Sequence, residues 1–160
     1  MKKVSFADRN CSIARSLEVV GEWWTLLILR DAFLGVTRFE DFARRLGIAR
    51  NVLTTRLDTL VDHGVMERVA YEEGPRARYD YRLTPKGRAL WPVLTTLREW
   101  GDEWVTGNGK EPVLLEHRSC GHTVTATLHC SHCGEELHQR DLTTVAGPGL
   151  TDPTLLAHRS

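Results

Sequence analysis

Arg50, Asn51, Thr54 and Thr55 bring guanidinium, carboxamide and hydroxyl groups into the first turns of one helical pattern, residues 49 to 62. A guanidinium can donate twice to the edge of guanine, and a carboxamide can pair with adenine through a donor and an acceptor, so these types suit base reading. Arg45 and Arg56 flank them at positions suited to phosphate, and Arg38 extends the same basic stretch. Arg76 and Arg78 fall at the tip and side of a following hairpin pattern, where they would reach a minor groove or a sugar-phosphate backbone.

A second group of reactive residues lies further on. His117-Arg-Ser-Cys120-Gly is followed by Cys130-Ser-His-Cys133-Gly, two ligand pairs of the same internal spacing, each with a glycine after it. They resemble zinc knuckles: three thiolates and one imidazole suit a closed structural Zn²⁺ site, and glycine lets backbone amides approach the sulfurs. His122 competes with His117 for the imidazole position, and His129 and His132 are spares. The stretch TVTATL between the pairs is expected to form a ribbon hairpin. The rival readings are a Cys130–Cys133 redox dithiol and a metal-free hairpin held by apolar contacts. Cys11 stands apart, just before a helical pattern whose N-terminus would favour a thiolate. A small buried hydrophobe at an interface is the alternative role for Cys11.

The elements needed to hold these groups can be read in order. Residues 12 to 20 form an amphipathic helical pattern with Ser12 as candidate cap, broken by Gly21. Residues 22 to 34 are apolar nearly all round, as befits a core or subunit-interface helix. Thr37 and Glu40 have capping-box spacing, Phe39, Phe42, Ala43 and Leu46 share a face, and Gly47 supplies a tight turn that Ile48 plugs. In the next helix Val52, Leu53, Leu57, Leu60 and Val61 turn inward. Residues 65 to 71 and 78 to 83 are strand patterns joined by EEGPRA, and Thr84-Pro85 then places a cap before a first-turn proline. A long helix over 86 to 105 carries a stripe of Leu90, Val93, Leu94, Leu97, Trp100 and Trp104, with Pro92 expected to kink it or mark its true start.

With 160 residues the chain can build one core and a small extension. Lys plus Arg and Asp plus Glu both number 21, so global charge argues for no partner, but residues 38 to 56 hold five arginines against two carboxylates. No apolar run has the length of a membrane span, and MKKVSFADRN lacks the apolar segment of a signal peptide. A cytoplasmic location is therefore expected, with cysteines as thiols or metal ligands rather than structural disulfides.

Cys11-Ser12-Ile13, residues 17–30 (LEVVGEWWTLLILR), Arg38-Phe39, residues 53–64 (LTTRLDTLVDHG) and residues 81–87 (YRLTPKG) together resemble the HxlR-type regulators. The resemblance covers about residues 10 to 105. It implies a MarR-like winged helix-turn-helix, a homodimer, and transcription control, with repression the expected sign, through palindromic double-stranded operator DNA. It also implies that the first helix and the helix after the wing pack across the two-fold axis. Because a cysteine at this place senses oxidants or electrophiles in some members, the resemblance makes Cys11 a candidate redox sensor.

The expected fold is thus α+β, mainly α, with a long C-terminal dimerisation helix and a small β-hairpin Cys/His-rich extension. The expected division is 1–106 for the DNA-binding domain with its dimerisation helices, 113–142 for the extension and 143–160 for a flexible tail. Trp23, Trp24, Trp100 and Trp104 are expected in the core, where they could also wall a pocket for a small-molecule effector. Two other functions stay open: a thiol oxidoreductase using Cys130 and Cys133, and a zinc-dependent protein-interaction module. The oxidoreductase lacks the strand-before-helix setting such pairs use, and no phosphate loop, G-x-S-x-G elbow or H-E-x-x-H supports another enzyme.

Overall fold

The computed structural model describes residues 5–72, 78–107 and 109–156, with side chains at all of these except 72, 153 and 155. Arg76 lies outside the described residues. The chain forms two compact units that divide between Leu94 and Thr95.

In the first unit, α1 (Ser12–Val20) and α2 (Trp23–Phe33) are followed by α3 (Phe39–Leu46) and α4 (Arg50–Asp62). Ile28, Leu29, Phe42, Leu53, Leu57 and Leu60 are buried to completion, each worth about 1.5–3 kcal/mol of transfer free energy. They come from three helices, so the core exists only when α2, α3 and α4 meet. Gly47 ends α3 at φ +62°, a left-handed conformation that glycine adopts without a Cβ penalty, and Ile48 fills the angle behind it. Asp31 of α2 is also fully buried, and its carboxylate is held by Arg30 Nε at 2.9 Å and by Arg45 Nε of α3 at 3.2 Å. A buried charge is tolerable only when paired in this way, so the pairing also sets how α3 crosses α2.

Strands β1 (Met66–Glu72) and β2 (Arg78–Leu83) form an antiparallel hairpin whose register shifts between Ala70 and Glu72. The segment before α3 joins its edge: Tyr81 N–H donates to Thr37 O at 2.7 Å, and Arg38 bridges to Asp80. Thr37 does not form the expected capping box with Glu40. Its Oγ1 donates instead to Asp80 Oδ1 at 3.2 Å, and the cap position of α3 belongs to Arg38.

Thr84 Oγ1 accepts from Gly87 N at 3.1 Å and so caps the short α5 (Pro85–Arg88). Gly87 is obligatory there, because a Cβ would lie 2.1 Å from Val65 O. The long helix expected from 86 to 105 is interrupted: the chain turns at Ala89 and Leu90, and α6 (Trp91–Gly101) starts beside Pro92. Proline lacks the N–H that a helix interior needs but is well suited to a first turn, so it marks the start rather than a kink.

In the second unit a single π-helical turn, Asp102–Thr106, follows α6. Strand β3 (Leu115–Glu116) pairs antiparallel with β4 (Thr123–Val124). The TVTATL hairpin is therefore not formed within itself: its first residues pair backwards across the turn at 117–122. A further bridge, His129 to Glu136, closes the turn at 130–135. No helix among the described residues is long and apolar enough to cross a membrane.

Candidate nucleic-acid interface

Helix α4 presents one polar face and one apolar face. Leu53, Leu57 and Leu60 point into the core, and Arg50, Asn51, Thr54 and Thr55 are all exposed opposite them. Thr54 Oγ1 donates to Arg50 O at 2.9 Å and Thr55 Oγ1 to Asn51 O at 3.0 Å. Hydroxyls bound back to the preceding turn keep their lone pairs outward and their methyl groups available for apolar contact.

Arg50 is not displayed alone. Its Nη1 and Nη2 donate to Glu40 Oε2 and Oε1 at 2.7 and 2.6 Å, and its guanidinium lies 4.9 Å from the Phe39 ring centroid. The hydrogen bond from Arg50 holds the Glu40 carboxyl below its ordinary value, and Arg78 and Arg44 act in the same direction. In return Glu40 raises the basicity of Arg50. Glu40 is thus a member of this surface that its capping-box spacing concealed.

The other expected DNA-contact residues fall into three settings. Arg38 is exposed, 4.8 Å from the Tyr71 ring centroid and 4.0 Å from Asp80 Oδ1. Together with Phe39, Glu40, Arg50, Tyr71, Arg78 and Tyr79 it borders one groove between the start of α3 and the hairpin. Arg45 commits its Nε to Asp31, while about half of its side chain stays exposed. Arg56 is drawn further in: only 20% of its side chain is exposed and its Nη2 lies 3.1 Å from Glu22 Oε2. That pair ties α4 to the start of α2, a role that spacing along the chain could not reveal. Tyr71 and Tyr79 belong to the groove and were missed as site residues; their exposed aromatic faces next to arginines were the available signal.

Cys11 occupies the cap position of α1 in extended conformation, partly exposed, free, and without a side-chain cap hydrogen bond. Ser12, expected as the cap, is the first helical residue instead.

The Cys/His residues are gathered as two pairs rather than as one set of four. His117 Nδ1 lies 3.3 Å from Cys120 Sγ, and Cys130 and Cys133 flank the second turn. Among the described residues no three His, Cys, Asp or Glu side chains meet in one metal-binding cluster. The backbone N–H groups of Cys133 and His132, then the Cys133 side chain and the Gly134 N–H, hold the Cys130 thiol below its ordinary value.

The tryptophans expected in the core are divided. Trp24 packs against it, whereas Trp23, Trp100 and Trp104 are 86%, 57% and 68% exposed. The stripe on the helix after the hairpin divides likewise: Leu90 and Leu94 pack inward, and Val93 and Leu97 stay exposed.

Comparison with known proteins follows this geometry. Residues 19–108 match the family model described as HxlR-like helix-turn-helix. An uncharacterised HTH-type transcriptional regulator of Mycobacterium tuberculosis is 48% identical over 138 residues, covering 86% of this chain and 87% of that protein. The crystal structure of PA1607, described as a candidate transcription factor, superposes with a TM-score of 0.80 at 39% identity, covering 90% of this chain and all of that one. The redox regulator HypR in its reduced form superposes with a TM-score of 0.52 at 30% identity over 57% of this chain and 90% of its own.

Proposed function

The chain belongs to the HxlR-like helix-turn-helix family and is a transcriptional regulator of winged-helix type, and from that premise we propose that it acts as a homodimeric, sequence-specific repressor in the cytoplasm. The observation that carries this reading is the exposed Arg50, Asn51, Thr54 and Thr55 face of α4 beside an arginine- and tyrosine-lined hairpin. Helix α4 enters the major groove, where Arg50 and Asn51 read base edges and the two threonines contact bases or thymine methyls. Arg38, Arg78 and the exposed part of Arg45 meet phosphates, and the wing carrying Arg76 follows the adjacent backbone. Its task is binding rather than catalysis.

The dimer places two copies of α4 about one DNA turn apart on a palindrome. Its support is the exposed stripe of Val93, Leu97, Trp100 and Trp104, together with Ile13 and Leu17 on α1. Large apolar side chains left exposed along a helix are candidates for burial against a second copy. The signal is an oxidant or electrophile acting at Cys11, a free and partly exposed thiol, in a chain similar to a redox regulator. A small-molecule effector is the other candidate signal.

The test is fluorescence anisotropy of the reduced protein with DNA from upstream of its own gene and with scrambled DNA, at two salt concentrations. The reading requires selective binding to the upstream DNA that weakens as salt rises. Equal, weak binding to both DNAs would remove it.

A further inference from the structure

The turns at 117–122 and 130–135 are two copies of one structure. In each, the first residue's N–H donates to the carbonyl five residues on: His117 to His122 at 2.9 Å, and Cys130 to Glu135 at 2.8 Å. In each, a glycine N–H returns to the first residue's carbonyl: Gly121 to His117 at 2.8 Å, and Gly134 to Cys130 at 2.9 Å. Both glycines are left-handed, at φ +70° and +79°. Each turn is closed by a small antiparallel pairing, β3 with β4 and His129 with Glu136.

Beyond these turns the segment is tied to α6 by polar contacts: Ala126 N–H donates to Glu99 Oε1 at 2.7 Å and Arg98 Nη1 donates to Val113 O at 3.1 Å. No residue from 112 to 149 is buried, so the segment has no apolar core of its own. Its three cysteines are free, so no disulfide staples it either. Two matched turns, each ending in paired ligand side chains, are what a segment of this size needs if a metal supplies its folding energy.

The side chains discriminate among the candidate ligands. The 3.3 Å between His117 Nδ1 and Cys120 Sγ is close to the roughly 3.6 Å edge of a tetrahedral zinc site with ordinary Zn–N and Zn–S bonds. His122 directs its Nδ1 to Cys120 O at 2.8 Å, so it serves the turn's backbone. His129 has both ring nitrogens engaged, with Gly134 O at 3.0 Å and Thr127 Oγ1 at 2.8 Å; Ser119 Oγ likewise lies 3.2 and 3.1 Å from the ring nitrogens of His117, so it is the adjacent Cys120 sulfur that singles His117 out.

We propose that the two matched turns are the halves of one structural site, in which His117, Cys120, Cys130 and Cys133 bind a single zinc-class divalent cation. Binding displaces the three thiol protons and draws the halves together around the ion. The extension then folds as a metal-closed ribbon, and its exposed apolar residues need no core of their own.

Full-length reduced protein, purified without chelators and dialysed, is assayed for zinc and then reconstituted with Co²⁺. The expected result is about one equivalent of zinc and a Co²⁺ spectrum with intense tetrahedral bands and thiolate charge transfer. His117→Ala and Cys120→Ser should each lower retained zinc to less than about a fifth of an equivalent, and His122→Ala should leave it unchanged. Limited proteolysis of the parent with and without a strong chelator gives a readout independent of any variant's folding, with cleavage after residue 112 appearing only when metal is removed. A zinc-free protein whose extension resists proteolysis equally well in chelator overturns the proposal. So does metal retained equally by His117→Ala and Cys120→Ser, which would be adventitious binding or a two-sulfur site at Cys130 and Cys133.

Discussion

Arg50 and Glu40 lie on different helices, yet two parallel hydrogen bonds of 2.7 and 2.6 Å join them across the Gly47 turn. The clamp fixes the guanidinium in one orientation at the mouth of the groove, with Phe39 beneath it. It also places a carboxylate where DNA would bring phosphates. Base recognition by Arg50 must therefore exchange one bidentate acceptor for another, or keep Glu40 as a positioning partner while one edge of the fork reads the base.

Replacing Arg50 with Ala is expected to relax preference at one base pair by about 1–3 kcal/mol, while non-specific binding changes little. Glu40→Ala should act differently: affinity for any duplex rises as a negative charge is removed, and discrimination falls because Arg50 loses its guide. Anisotropy titrations of both variants against the operator and single-base variants separate the two. Discrimination retained in full by Glu40→Ala would show that the clamp does not position the reader.

Acid should loosen the clamp in a defined direction. The folded-state Glu40 carboxyl is held below its ordinary value, so its contribution to stability is complete above the ordinary carboxylate range and is lost as pH falls through the lowered value. Parent and Glu40→Gln should differ in thermal midpoint at about pH 7 and converge once the pH has fallen below the lowered Glu40 value. The pair is exposed, so the difference is small and fades in high salt. A gap that widened on acidification would contradict this assignment.

Gly87→Ala should destabilise the first unit by about 1–3 kcal/mol or more, because a methyl group 2.1 Å from Val65 O forces backbone apart. Chemical denaturation measures it directly. The neighbouring Lys86→Ala, which removes only a 2.7 Å bond to His63 O, is expected to cost at most about 1.5 kcal/mol.

Trp100 and Leu97 are 57% and 47% exposed on α6. Introducing Glu at either should convert a dimer to a monomer in light scattering at micromolar concentration, and operator affinity should fall with it. A parent protein that is already monomeric would refute the proposed assembly.

Treatment with diamide or a quinone is expected to lower operator affinity of the parent and to leave Cys11→Ser unaffected. The extension's cysteines also react, so the comparison with Cys11→Ser, rather than the loss itself, carries the result. Equal loss in both proteins would move the sensor away from Cys11.

Local patterns were legible, and partnerships across the fold were not. Both ends of β2 followed from the alternation of Tyr79, Tyr81 and Leu83 with charged residues, and α4 was bounded by the Gly47 turn and His63-Gly64. Even so, Tyr79 is exposed and Asp80 half-buried, because Asp80 receives Thr37 and lies beside Arg38. Arg56 read as a phosphate ligand because nothing in its neighbourhood along the chain points to Glu22. Glu40 read as a cap because its spacing from Thr37 fits a capping box, while its partner Arg50 lies ten residues on, across the Gly47 turn. The exposed tryptophans carry a different lesson: an apolar stripe reports burial without saying in which assembly the burial occurs.

The bond from Tyr81 N–H to Thr37 O makes the base of the hairpin part of the helical unit. The Tyr81 amide should therefore exchange with solvent only when the strut before α3 also lets go. The root of the hairpin in this sense keeps pace with the slowest motions of the core.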